Sequence, residues 1–419
     1  MIRPIGVLFA FAAGASAVLS GTVLAHHGIA NFDLNKDIEL TGVVTDLAFV
    51  NPHSWLYLNV ASANGEATPW RCEMRAATVL KRSGWSQALF ENGSQVRITG
   101  SPDRNEPNTC YLGTIVFADG SSMDRYGQLQ KAAPAAPVER ALRLANGEPN
   151  IGGDWAAEQR VMTDRRGISG ALVPLGVAES LAPGELPAGT RAFPGARGTP
   201  ESLAPDAIRT AWVRPSPVAL TDAGKQAAEG FDGSSADNPR LRCEPTNILF
   251  DWTFDTLVNR ITQQQDRITL QYGFMGLERT IHMNLAEHPA GLEPALAGHS
   301  IGRWEDDVLI VDTIGFEPGV LSADAVTMHS DQLHVVERFT LDPQGRALRR
   351  EYVAEDPLYF IGEYRGADTV LIADLPYEGY NCDDRSYVSD GDAAAARSTT
   401  AQPVAEGDED DTPWWMFWK

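Results

Sequence analysis

The stretch IELTGVVTDL, residues Ile38–Leu47, alternates apolar and polar side chains with the two-residue period of a β-strand that has one buried face. Shorter runs of the same kind follow it, two of them joined by the tight turn Asn64-Gly65. A short helix is predicted over Ala76–Arg82 and stops near Gly84. The predicted strands are Ile38–Leu47, Trp55–Val60, Thr68–Met74, Ser94–Gly100 and Tyr111–Phe117. Five strands with a helix between the third and fourth follow the OB-fold order, so we expect a small OB-like barrel over residues 26–127.

A second β-rich unit follows a linker at residues 128–150 that is rich in Ala and Pro. Residues 164–207 are rich in Gly, Pro, Ala and Ser and are expected to be irregular, whereas residues 219–230 favour a helix. The predicted strands beyond Arg240 are Thr256–Thr262, Arg267–Tyr272, Glu278–Asn284, Ile301–Trp304, Val308–Thr313, His334–Leu341, Leu348–Val353 and Phe360–Tyr364. We therefore expect a mainly β protein, with an antiparallel meander or barrel over residues 151–388 whose N-terminal portion is irregular. The acidic tail, residues 389–419, is expected to be disordered.

The first 25 residues have the pattern of a secretory signal peptide. Arg3 precedes the apolar run Ile5–Leu24, and Val23-Leu24-Ala25 reads as a small-residue cleavage site. Cleavage there changes the formal net charge from −22 to −23, because Arg3 is the only charged residue removed. We expect a periplasmic or secreted protein. Its acidity argues against nucleic-acid binding, which needs a basic surface, and no later run is long enough to cross a bilayer.

Four cysteines remain in the predicted mature chain, and an even number in an exported protein favours two disulfides. Three pairings are possible. We favour Cys72–Cys110 with Cys243–Cys382, because each bridge then stays inside one predicted domain. The chain has no Cys-x-x-Cys motif, so redox catalysis by a dithiol is not expected.

Two groups of motifs resemble segments of uncharacterised bacterial proteins. The first, which includes His26-His27-Gly28, Phe32-Asp33 and Asn51-Pro52-His53-Ser54-Trp55, resembles an N-terminal domain of exported Gram-negative proteins of unknown function. The second, Gly298–Glu305 with His334–Phe339, is similar to a recurring segment of uncharacterised secreted bacterial β-proteins. The resemblances imply export and a division into two domains, and they imply no activity.

The leading candidate site is the predicted mature N-terminus. The α-amine and the imidazole of His26 would close a chelate ring on one metal ion, with His27 beside it. His53, in a turn before the predicted second strand, can fold back to supply a third nitrogen, a set suited to Cu(II) or Ni(II). The arrangement resembles the copper histidine brace of secreted oxygenases and copper carriers. In the alternative interpretation, His26 and His27 are a solvated chain start and His53 caps a turn.

A second candidate site contains His299, His329 and His334, with Asp331 and Glu337 nearby in the sequence. Zinc in a catalytic site takes three such ligands plus water. His329 and His334 are five residues apart, which fits neither one face of a helix nor one face of a strand, so a loop must bring them together. The alternative is a set of histidines at strand ends that make local hydrogen bonds.

Gly298-His299-Ser300-Ile301-Gly302 matches the G-x-S-x-G motif of α/β-hydrolases. In those enzymes the motif lies between a strand and a helix, whereas here a strand and a hairpin are predicted to follow it. We interpret the glycines as a turn that leads into the strand of Trp304.

These observations favour an exported binding protein that takes a copper ion at its N-terminal histidines, or an apolar small ligand in the second β-domain by analogy with other β-barrels. One alternative is a metal-dependent enzyme or hydrolase that uses His299, His329 and His334 with zinc or copper. Another is an envelope interaction protein anchored by its aromatic end, Trp414-Trp415-Met416-Phe417-Trp418. No reaction follows from the sequence.

Overall fold

The structure is a computed structural model, and it shows a mainly β chain built around two closed barrels. It describes residues 31–34, 36–61, 65–125, 140–162, 172–180, 218–232, 237–322 and 326–383. The predicted signal peptide, His26, His27 and the acidic aromatic tail therefore lie outside the described residues. Among the residues described, no helix is both long and apolar enough to span a membrane.

The small barrel has the expected OB-like order. Its strands are β1 (Ile38–Ala48), β2 (Trp55–Ala61), β3 (Ala67–Glu73), β4 (Gln95–Pro102) and β5 (Thr109–Phe117), with helix α1 (Ala77–Arg82) between β3 and β4. Neighbouring strands pair in the order β3-β2-β1-β4-β5, and a parallel β3–β5 pairing closes the barrel. A short strand, β6 (Ser122–Asp124), adds to the outside of β5. The strand and helix ends lie within two residues of the predicted ones.

Alternation along the strands fills the inside of the small barrel with apolar side chains. In β1, Leu40 and Val44 point inward and the residues between them are more exposed. Leu56 and Ile98 reach 0 % exposure in the same cluster. The predicted disulfide Cys72–Cys110 lies inside this core and joins the two strands that close the barrel.

The large barrel has nine strands. In spatial order they are β11 (Val258–Gln263), β12 (Arg267–Gln271), β13 (Glu278–His282), β14 (His299–Glu305), β15 (Val308–Ile314), β18 (His334–Leu341), β19 (Ala347–Glu355), β21 (Tyr364–Ile372) and β7 (Gly153–Ala157). Every neighbouring pair is antiparallel except β13 and β14, which are parallel. The expected antiparallel barrel is therefore confirmed, but β7 closes it from the N-terminal side of the domain.

Short elements outside the nine strands correct two details of the sequence analysis. They are β8 (Arg160–Met162), β9 (Leu172–Pro174), α2 (Leu175–Ser180), β10 (Ala219–Leu220), α3 (Asp222–Ala228), β16 (Gly319–Ser322), β17 (Thr327–His329) and β20 (Phe360–Ile361). The predicted strand Phe360–Tyr364 is wrong, because β20 pairs with β10 and the barrel strand starts only at Tyr364. Part of the supposedly irregular 164–207 segment forms β9 and α2, and β9 pairs with β8.

Charged groups lie inside the large barrel together with apolar side chains. Arg279, Glu337 and Arg350 are 2 % exposed or less, and Glu337 accepts hydrogen bonds from both arginines. Arg350 also donates to the backbone oxygens of Ile248 and Leu249, on a segment that enters the core. Arg350 also pairs with Asp368 of β21, so the two guanidiniums meet two carboxylates and each charge is paired, which a low-dielectric interior requires.

A C-terminal strap, residues 373–383, contacts both barrels. Asn51 of the small barrel donates to the Tyr380 oxygen at 2.7 Å, and the Tyr380 ring packs against Phe274 of the other barrel. Arg82 at the end of α1 donates to the backbone oxygens of Thr256 and Ala157. The second predicted disulfide, Cys243–Cys382, fastens the strap. Both predicted pairings are thus confirmed.

Candidate histidine cluster

Five ionisable side chains meet on the outer face of the large barrel. We call them the histidine cluster: His282, His288, His299, Asp312 and His334. Four of them lie on the consecutive strands β13, β14, β15 and β18. Side chains alternate between the two faces of a strand. Ser300 and Thr313 are buried inside the barrel, so the residues next to them, His299 and Asp312, face outward.

Strand register brings the outward residues into contact. Asp312 lies directly opposite Ile301 on one side and Val336 on the other. His299 and His334 come two residues before those partners, so both are diagonal neighbours of Asp312 on the same face. His288 belongs to no strand and reaches the cluster from the loop between β13 and β14.

Asp312 is the centre of the hydrogen bonding. Its Oδ1 lies 3.1 Å from Nε2 of His334 and 3.1 Å from Nε2 of His288. The other ring nitrogen of His288, Nδ1, lies 2.8 Å from Nδ1 of His299. The His299 ring also stacks on that of His282, with centroids 4.9 Å apart and planes 13° from parallel. The cluster is therefore one connected row of rings.

The hydrogen bonds assign the protons. An ionised carboxylate only accepts, so His288 and His334 each carry a hydrogen on Nε2. With a single hydrogen on the His288 ring, the lone pair of His288 is on Nδ1, and His299 is then the donor in the Nδ1–Nδ1 contact. The Nδ1 atom of His288 is thus held as an acceptor by the group bound at its opposite nitrogen.

Local electrostatics favour an ion pair between Asp312 and His334 at one end of the row and a neutral His299 at the other. The hydrogen bond from His334 keeps the pKa of Asp312 below its usual value, and the same bond raises the pKa of His334. Burial lowers the pKa of His299, and the neighbouring His282 and His288 lower it further. His299 is therefore neutral at neutral pH, which is the form that a metal ion binds.

Imidazole nitrogens are common ligands of borderline transition metals, and three imidazoles lie close together here. Two Nδ1 atoms face each other, a third imidazole is stacked beside them, and a carboxylate supports one ring from behind. Within the described ranges, no group of three or more His, Cys, Asp or Glu side chains is already placed to hold an ion. The His282 ring must therefore rotate out of its stack before it can complete a three-nitrogen set.

The structure brings together two of the three histidines predicted for this barrel. His299 and His334 both contact members of the cluster. His329 instead lies on β17, is 1 % exposed and packs its ring against Phe316. In the part of the chain described, no hydrogen bond or ring contact joins it to the other two. Burial lowers its pKa, as expected for a core histidine.

The acidic and serine candidates lie elsewhere, and Asp331 is exposed in the turn before β18. Glu337 is three residues from His334, so it points into the barrel, where it pairs with Arg279 and Arg350. Ser300 is also inside, 1 % exposed and within hydrogen-bond distance of Arg279 and Thr313. This serine sits in the middle of a sheet strand and not in the exposed turn that a hydrolase nucleophile occupies.

His53, the described member of the N-terminal candidate, lies on the small barrel. Its Nδ1 is 3.9 Å from an oxygen of the buried Glu73. Asn31, the first described residue, lines a small crevice together with Glu73 and Trp55. Glu73 is thus the residue that Asn31 and His53 have in common.

Sequence reasoning missed His282, His288 and Asp312. A signal for Asp312 was present, since it is the one charged residue in the apolar strand VLIVDTI. His282 ends a strand whose outward side is otherwise polar, and His288 lies in a loop, so neither stood out.

Residues 15–111 match the model of a family of unknown function, DUF6152. This stretch covers most of the small barrel. It also includes the first group of sequence motifs, for which a resemblance to exported proteins of unknown function is expected. No curated protein matches the chain. The histidine cluster lies outside the matched residues, and the resemblance suggested for the second β-domain stays a prediction.

Proposed function

We propose that this is an exported binding protein that holds one transition-metal ion, copper or zinc, at the histidine cluster. The main support is the 2.8 Å approach of His288 Nδ1 to His299 Nδ1. Two nitrogens at that distance share one proton. A metal ion that replaces the proton lies about 2.0–2.1 Å from each nitrogen, so binding must move the two nitrogens roughly 0.5–1.2 Å further apart. Imidazole nitrogens are preferred ligands of both Cu(II) and Zn(II).

The surroundings agree with reversible binding. His299, Asp312 and His334 are only partly buried, so an ion can enter from solvent without opening the barrel. The barrel is already closed and its core filled by apolar and paired charged groups, so the ion is not required as a structural ligand. The net charge of −22 attracts cations over long range. Two disulfides fit an oxidising compartment, which supports the export part of the proposal.

The test is a calorimetric titration of the full-length natural product with Cu(II) and, separately, with Zn(II). We expect one equivalent to bind, and we expect His299→Ala and His288→Ala each to weaken binding at least tenfold. His53→Ala separates the two candidate sites: His53 lies on the other barrel, so this variant should bind as the wild type does if the histidine cluster holds the ion. Absence of binding to the wild type, or equal binding by His299→Ala, contradicts the proposal.

The N-terminal copper site is a second candidate. Its support is that Asn31 lines the same crevice as Glu73, and a carboxylate oxygen of Glu73 lies 3.9 Å from His53. His27 precedes Asn31 by four residues, so it can reach about 13 Å from that point. In this case His53→Ala weakens Cu(II) binding and His299→Ala does not. An extra residue before His26 blocks the amine and must abolish the same signal. Intact-mass analysis of the natural product establishes whether His26 is first.

The apolar-ligand, enzyme and envelope-anchor alternatives stay predictions. Extraction of the natural product with organic solvent, followed by mass spectrometry, tests the first. Deletion of residues 412–419 tests the last, since unchanged stability, solubility and fractionation contradict every docking role of the aromatic end.

A further inference from the structure

We infer that Asp312 is the positioning residue of this metal site: it holds the His288 ring so that Nδ1, and not Nε2, faces His299 and the ion. The inference rests on the proposed metal-binding function. It assigns Asp312 a role behind the ligand, with no bond of its own to the metal.

The first support is the location of His288. His282 and His299 are fixed by strand backbones, whereas His288 lies on the irregular loop between β13 and β14. Backbone hydrogen bonds tie this loop at Met283, to Asp266, and at Ala295, to Gly315. In its middle, the His288 ring is held by Asp312 at one nitrogen and faces His299 at the other. The carboxylate therefore sets the orientation of a ring that the backbone leaves free to turn.

The second support is the choice of nitrogen. The two nitrogens of an imidazole point away from each other, so the side of His288 that meets Asp312 is not the side that meets His299. An ion placed between the facing Nδ1 atoms lies across the ring from the carboxylate. A carboxylate in this position fixes the tautomer and increases the basicity of the ligating nitrogen.

The third support is the way Asp312 is itself held. The same oxygen, Oδ1, also accepts from Nε2 of His334, so this histidine restrains the carboxylate from the far side. The side chain of His334 is 38 % exposed, more than those of Asp312 and His288. It therefore acts through Asp312, and its removal is expected to have a smaller effect than removal of Asp312.

The test uses Cu(II) titration of the full chain, followed by electron paramagnetic resonance of the loaded protein. Asp312→Ala is expected to weaken binding 10- to 100-fold while the stoichiometry and the nitrogen hyperfine pattern of the bound copper stay the same. Asp312→Asn keeps one accepting oxygen and a similar volume, so it should lose less affinity for Cu(II). It also controls for a folding defect in Asp312→Ala. Asp312→Glu should restore part of the affinity.

Asp307→Asn is the matched control, because Asp307 lies on the same β14–β15 hairpin but is exposed and paired with Arg143. It should bind as the wild type does. Failure of the wild type to bind any ion defeats the proposed function itself. Wild-type binding with unchanged affinity in Asp312→Ala defeats only the positioning role. A changed ligand signature in Asp312→Ala shows that Asp312 is a direct ligand and also overturns the inference.

Discussion

The two barrels of this chain close in the same way but are filled differently. The interior of the small barrel is an apolar cluster with a disulfide inside it. The large barrel combines an apolar cluster with Arg279, Glu337 and Arg350, all buried. A nine-stranded barrel encloses more space than a five-stranded one, and here long charged side chains and an entering segment occupy part of it.

This difference indicates which ionisable groups serve the fold and which are available for binding. In the small barrel, apolar alternation accounts for almost every inward position. In the large barrel, the inward charges pair with one another, so they are committed to the fold. The outward faces of the same strands carry further ionisable groups, and those of the histidine cluster contact one another there. The predictions below test this contrast between the barrels.

The largest predicted effect concerns the two disulfides, which should differ in how readily a thiol reduces them. Cys243–Cys382 closes a loop of sequence separation 139, and its loss is expected to cost about 5 kcal/mol on the chain-entropy model. Cys382 is exposed, whereas Cys72 and Cys110 are 0 % exposed. Mild thiol should therefore reduce Cys243–Cys382 first. Alkylation followed by peptide mass spectrometry measures the order in which the two disulfides are reduced. Denaturant unfolding of the double variant Cys243→Ser/Cys382→Ser measures the loss in free energy of unfolding.

Earlier labelling of Cys72 and Cys110 contradicts this prediction. So does a double serine variant that unfolds at the wild-type denaturant concentration, because the strap would then contribute nothing to stability.

Glu337→Ala should destabilise the large barrel by about 3–5 kcal/mol, because the buried Arg279 loses its carboxylate partner while Arg350 keeps only its pair with Asp368. Urea unfolding measures the loss. Glu351→Ala is the control on the neighbouring outward side: its pair with Arg349 is half exposed and should be worth less than about 1 kcal/mol. Equal effects of the two variants mean that the interior network is not what holds this barrel together.

The sequence predicted much of both barrels, for a clear physical reason. Where one face of a strand is apolar, alternation marks it, and the ends of β1 to β5 and of most large-barrel strands fell within two residues. Strand β21, YRGADTVLI, escaped because Gly366 and Asp368 occupy inward positions that alternation expects to be apolar. The closing role of β7 depends on long-range pairing with β11 and β21, which no local pattern carries.

The candidate site was only half predictable. His299 and His334 were selected as histidines near one another in the sequence, but their actual link is Asp312 on the strand between them. Diagonal neighbours across strands require the register, and His288 requires the path of a loop. His329 was grouped with them for sequence proximity alone, and β17 carries it away from the nine-stranded sheet.

Leu56→Ala should cost about 3 kcal/mol, since it leaves a cavity in the apolar interior of the small barrel. Val43→Ala, on the neighbouring strand, is the control, because Val43 is 40 % exposed and should change stability by less than about 0.5 kcal/mol. Differential scanning calorimetry gives both values. A small effect of Leu56→Ala implies that the small barrel can repack, and the contrast with the charged interior of the large barrel then loses its meaning.

Asp251→Asn should change the pH dependence of stability, with a gain of about 1–3 kcal/mol at pH 8. Burial raises the pKa of Asp251 to about 7, above the value near 3.9 of an unfolded chain. Between these values the folded protein keeps a proton that the unfolded chain has released, so stability falls as pH rises from about 4 to 7 and then levels off. The amide carries no charge at any pH and still accepts from the Thr246 backbone N–H, which lies 2.7 Å from the carboxyl.

Urea unfolding of Asp251→Asn and wild type at pH 5, 6, 7 and 8 measures this change. The variant should lack the decline over this interval, whereas Asp307→Asn, at an exposed surface pair, should keep it. A decline of equal slope in Asp251→Asn places the titrating group elsewhere. Burial of Asp251 in the segment that enters the large barrel would then not be what makes stability depend on pH between 5 and 8.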